Sequence, residues 1–172
     1  MHPHHIRFLV LEQGIGSAVF NFLLNGAIAW LLFRGLERVP LWGQQSIAGD
    51  TVATCFFLPF LTTLIVTPLA RNRVRTGSLT ALPWTRQTHP PLRWLPEGTV
   101  KRAFLLGIAT ALLIGPLTVA LLAWANVQDL SFWQFIWVKA AFAAVLALIV
   151  TPIISIWAIV GDVEALAEVV ER

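Results

Sequence analysis

Thr51–Ala70, TVATCFFLPFLTTLIVTPLA, runs directly into Arg71-Asn72-Arg73-Val74-Arg75. Twenty uncharged residues thus precede three arginines in five positions. At about 1.5 Å per residue, roughly 20 helical residues cross the ~30 Å hydrocarbon core of a bilayer. The basic cluster behind them marks a cytoplasmic edge by the positive-inside rule. Leu-Ile-Val-Thr-Pro closes this run at 64–68 and recurs at 148–152. The recurrence predicts an all-α integral membrane protein: a four-helix bundle built from two tandem transmembrane hairpins, arranged as a parallel repeat.

Composition agrees with that reading. Of 172 residues, 57% are hydrophobic and only 12% charged, about half the charge of a soluble domain. So few charges cannot cover a water-exposed surface, and four apolar runs of spanning length account for the excess. The single membrane domain divides into hairpin 1 (about 12–70), a cytoplasmic basic loop (71–101), hairpin 2 (about 102–160) and a short amphipathic tail (161–172). The one cysteine, Cys55, lies inside a span, excludes an intrachain disulfide and reads as a small packing residue.

Seven of the twelve basic residues fall between Arg71 and Arg102: Arg71, Arg73, Arg75, Arg86, Arg93, Lys101 and Arg102, against one acid, Glu97. Pro83, Pro90, Pro91 and Pro96 forbid a helix in this loop. It is expected to lie along the membrane, anchored by Trp84 and Trp94 and binding anionic lipid headgroups at about 1 kcal/mol per basic residue. A nucleic-acid partner is not expected, because a duplex binder carries far more charge on a water-soluble face.

Counting basic residues by side sets the orientation. Nine fall inside with Arg7 and Arg172 included, and two, Arg34 and Arg38, fall outside. Both termini are therefore expected in the cytoplasm of a cell (inner) membrane. Ala27-Ile28-Ala29 imitates a signal-peptide cleavage site, but the apolar run continues to Phe33, so the segment reads as a retained first span. Asp50 is expected to cap the second span, and Asp129 or Ser131 the fourth.

Polar groups inside the spans carry what functional signal there is. Asn21 and Asn25 share a face of the first helix with Gly14 and Ala18, by spacings of three and four. An amide facing lipid costs several kcal/mol, so both must turn inward. Thr110 on the third span aligns with Asn21 when Gly115 is set on Gly26, and Gly107, Ala111 and Gly115 form a small-residue ladder. Pro59, Pro68, Pro116 and Pro152 interrupt the second, third and fourth spans as kinks or hinges. Thr62, Thr63 and Thr67 are placed to satisfy the carbonyls that Pro59 frees. Lys139 lies roughly 10 Å from the outer end of the fourth span by helical rise. It either snorkels to the headgroups, pairs with Asp50 or Asp129, or adds charge to a pathway beside Asn25.

Several chemistries are excluded by residue type. No span contains a histidine for bis-histidine haem, and no Walker motif, G-x-S-x-G or H-E-x-x-H occurs. His2, His4 and His5 have ligand chemistry for Cu²⁺ or Zn²⁺ but read as a solvated end, so neither a metal nor another cofactor is assigned. The expectation is a non-enzymatic membrane protein, homo-oligomeric or an accessory subunit of a complex with other membrane chains. The alternative is a small transporter or channel with a polar pathway through Asn21, Asn25, Thr62, Thr63 and Lys139.

Overall fold

The computed structural model describes residues 14–77, 96 and 98–160. The histidine cluster, Arg86, Arg93 and the tail lie outside these. Four helices dominate: α1 (Gly16–Phe33), α2 (Ile47–Arg75), α3 (Thr99–Trp124) and α4 (Phe132–Val160). Each is long and apolar enough to cross a membrane, with mean hydropathy between 1.6 and 2.3 over its span. The chain is a membrane protein on that evidence.

The two loops at one end form a two-stranded ribbon. β1 (Arg38–Pro40) and β2 (Asp129–Ser131) pair antiparallel in the register Arg38 to Ser131, Val39 to Leu130 and Pro40 to Asp129. Pro40 ends β1, where its missing N–H costs no ladder bond. Leu41 N–H donates to Gln128 O at 2.8 Å and Phe132 N–H to Glu37 O at 3.0 Å, continuing the ribbon at both ends. Beneath it, Phe33, Val39, Leu41, Ile47 and Phe135 form an apolar cluster that joins both hairpins.

Helix starts differ in instructive ways. Ser46, not Asp50, caps α2: its Oγ accepts from Gly49 N–H at 3.2 Å. The helix therefore begins a turn earlier than expected, and the Asp50 carboxylate is released from capping for another task. At α4 the expectation resolves to Ser131. Its Oγ accepts from Gln134 N–H (3.4 Å) and Gln134 Oε1 from Ser131 N–H (3.0 Å), a reciprocal capping box. Asp129 instead pairs with Arg38 across the ribbon.

Packing exchanges partners between the hairpins. α1 packs against α4, α3 against α2, and α2 and α4 against each other. Cys55 and Leu58 of α2 meet Ala143, Leu146, Ala147, Val150 and Ile154 of α4 in the central core. At the far end Ser17 Oγ and Thr151 Oγ1 share a 2.7 Å hydrogen bond that ties α1 to α4. Gly107 lets α3 approach α2 so closely that a Cβ there would stand 2.9 Å from the Phe56 carbonyl oxygen. Phe56, Phe60 and Phe104 fill the space beside it, with the Phe60 and Phe104 rings edge to face at 4.9 Å.

All four prolines lie inside continuous helices. Pro59 removes the donor for the Cys55 carbonyl, and the repair does not come from Thr62, Thr63 or Thr67. Thr110 of α3 supplies it, its Oγ1 lying 2.6 Å from Cys55 O and 2.7 Å from Leu106 O of its own helix. Thr63 instead donates back to Pro59 O at 2.7 Å. The repair crosses helices because the freed carbonyl faces α3, where only a residue of the neighbouring helix can reach it.

Candidate cleft between the first two helices

Because α1 rests on α4 and α2 rests on α4, the space between α1 and α2 stays open. A cleft of about 530 Å³ lies there. Its walls are apolar: Phe20, Leu24 and Ile28 from α1 face Phe57, Leu61 and Ile65 from α2. Its polar groups are Ser17, Asn21 and Asn25 of α1, Asp50, Thr54 and Thr62 of α2, and Lys139 of α4.

The polar groups descend from the ribbon end. By helical rise, Asp50 lies about 5 Å below the start of α2, and Thr54 and Lys139 about 10 Å below the starts of theirs. Asn25 follows about 12 Å below the ribbon end of α1, Asn21 about 18 Å and Ser17 about 24 Å. Polar side chains therefore accompany the cleft along nearly the full length of α1.

Lys139 and Asp50 form an ion pair whose side chains are only 5% and 10% exposed. Lys139 Nζ also donates to Thr54 Oγ1 at 3.0 Å. Of the alternatives for Lys139, pairing with Asp50 is the one observed, and snorkelling is not. The pair is electrically neutral as a unit, and its burial makes each partner dependent on the other, since removing one leaves an uncompensated charge.

Asn21 and Asn25 are 7% and 8% exposed, inward as the cost of an unsatisfied amide requires. Asn21 Nδ2 donates to Ser17 O (3.0 Å) and Asn25 Nδ2 to Asn21 O (3.0 Å), each one turn back along α1. A backbone carbonyl only accepts, so these bonds fix which end of each amide is the nitrogen. The carbonyl oxygens Oδ1 are turned away from the helix backbone. Among the described residues, nothing donates to either of them.

No family model, curated protein or solved structure matches the chain. The cleft must therefore be interpreted from its own chemistry. It gathers Asn21, Asn25, Thr62 and Lys139 from the expected pathway. Thr63 is excluded, 2% exposed and turned into the protein, and Thr110 works at the α2–α3 interface. Asp50, Thr54 and Ser17 complete the polar set. Sequence reasoning gave Asp50 two roles, cap of the second span and one of two candidate partners of Lys139, and the second is the one observed.

The opposite end holds the basic residues. α2 runs on to Arg75, so Arg71, Arg73 and Arg75 lie on its last two turns, where cations complement the helix dipole. Arg71, Asn72, Arg75 and Thr99 border a second hollow of about 530 Å³. Lys101 is exposed. Arg102 departs from the headgroup expectation: it is 8% exposed, and its Nε donates to Pro96 O at 2.9 Å. Among the described residues no cluster of three or more His, Cys, Asp or Glu converges.

Proposed function

We propose that the chain is a non-enzymatic, multi-pass protein of the inner membrane that takes a small amphipathic molecule from the bilayer into the α1–α2 cleft, as a small transporter. The observation that carries this reading is the convergence of Asn21, Asn25 and the Lys139–Asp50 pair on one apolar-walled cleft. Its volume falls within the few-hundred-to-thousand Å³ range of small-molecule sites.

In this reading the ribbon end faces outward, the Arg71–Arg75 end contacts anionic headgroups of the cytoplasmic leaflet, and both termini are cytoplasmic. The hairpins are tandem copies. Partner exchange supports that, because a two-fold axis along the membrane normal would carry α1·α4 onto α3·α2 while leaving α2·α4 and β1·β2 in place. No nucleic acid is involved. Homo-oligomer formation or service as an accessory subunit is the second reading. It is weakened because the small residues offered for assembly are used within the chain: Gly107 against Phe56, Gly115 against Val52 and Gly26 against Ala140.

Native mass spectrometry of protein taken from its own membrane tests the choice. The wild type should carry a small non-protein mass that is lost in Leu61→Trp, where the larger ring fills the cleft. Stoichiometric copurification of another chain, with no small mass bound, would favour the accessory reading instead.

A further inference from the structure

Two amide oxygens without donors, on residues only 7% and 8% exposed that border a cleft, are expensive in a membrane unless something donates to them. Asn21 and Asn25 are one turn apart, so their oxygens repeat at about 6 Å along the cleft. Among the described residues, the only charges in the cleft, Lys139 and Asp50, neutralise each other, and Lys139 is further engaged by Thr54. A ligand therefore meets acceptors and no uncompensated charge. Beyond these groups the walls are chiefly Leu, Ile and Phe, with the Thr62 hydroxyl as the further polar group on α2.

We propose that the cleft binds an uncharged, single-chain amphiphile carrying hydroxyl or amide N–H donors, with those donors on Asn25 Oδ1 and Asn21 Oδ1 and its alkyl chain between Leu24, Ile28, Leu61 and Ile65. This deepens the transporter reading and rests on the cleft being the working site. Carboxylate and ammonium amphiphiles are disfavoured for separate reasons. A carboxylate meets two carbonyl oxygens and is repelled. An ammonium ion donates well, but enters an apolar-walled cleft whose one carboxylate among the described residues, Asp50, is already paired, so its desolvation goes uncompensated.

The test is radioligand binding to the full chain in lipid nanodiscs, with monooleoylglycerol, oleate and oleylamine as probes. Monooleoylglycerol should bind saturably, and the two charged probes at least about tenfold more weakly. Asn25→Leu and Asn21→Leu should each weaken monooleoylglycerol about five- to tenfold, the value of one hydrogen bond. Elution as a sharp monodisperse peak confirms that each variant folds, and Leu61→Trp, which keeps both amides, should abolish binding. Equal affinity for oleate and monooleoylglycerol, or unchanged binding in both Asn variants, overturns the proposal. If Leu61→Trp still abolishes binding in that case, the cleft stands and only the ligand chemistry is wrong. If Leu61→Trp binds like the wild type, the cleft reading fails as well.

Discussion

Replacing Lys139 by Met should reveal how much the fold depends on the neutrality of the cleft. Methionine keeps the length and apolar stem of the side chain and removes only the ammonium. Asp50, with its side chain 10% exposed, then has lost its counter-ion, and breaking a buried pair from one side typically costs about 3–5 kcal/mol. That is a large part of the 5–15 kcal/mol that usually holds a domain together. Asp50→Asn alone strands the lysine and should cost a similar amount. The double variant removes both charges at once and should recover most of the loss, because an apolar or neutral replacement for a whole buried pair is often close to neutral. Reversible denaturant unfolding in mixed micelles, followed by tryptophan fluorescence, gives the four free energies of the cycle. The expected coupling is several kcal/mol. Strictly additive single and double variants would mean that the pair does not form, and the electrostatic account of the cleft would fall with it.

Other expectations follow from single contacts. Gly107→Ala should destabilise by about 1–3 kcal/mol, because its Cβ meets the Phe56 carbonyl oxygen at 2.9 Å. Gly26→Ala should be tolerated in the same unfolding assay, since its Cβ would rest 3.6 Å from that of Ala140. Thr110→Val should cost about 1–3 kcal/mol by stranding the Cys55 carbonyl, and adding Pro59→Ala should return part of that by restoring an N–H donor within α2. Asp129 lies below the ordinary carboxylate range, chiefly through its hydrogen bond with Arg38. Its contribution to the ribbon should therefore be complete above about pH 4 and be lost only as the pH falls further. NMR titration should place Asp129 back in the ordinary range in Arg38→Ala, and an unchanged titration would contradict the pairing.

The helices were legible because the bilayer sets their length, and an uninterrupted apolar run is a direct record of that constraint. The four apolar runs of spanning length recur as the four helices, and the inward turn of Asn21 and Asn25 followed from the cost of an unsatisfied amide. The ribbon was not legible: three-residue strands carry too little periodicity, and their pairing spans 91 residues between Arg38 and Asp129. The partner of Pro59 was missed for a related reason. Sequence points to a nearby threonine, whereas the carbonyl freed at Cys55 faces α3 and meets Thr110. Asp50 kept two candidate roles in the sequence, cap and partner of Lys139, because a capping aspartate and a buried counter-ion look alike until Ser46 is seen to hold the cap. The openness of the cleft could not be read at all, since it depends on α1 and α2 both choosing α4 over each other.

Photo-crosslinking from the cleft wall in the native membrane tests the central claim most directly. A benzophenone side chain at position 61 should yield an adduct of small molecular mass, identifiable by mass spectrometry of the excised peptide. The same probe at position 113, on the exposed face of α3, should yield only scattered bulk-lipid products. A discrete polypeptide adduct at 61 would contradict the account, making the cleft a seat for another chain.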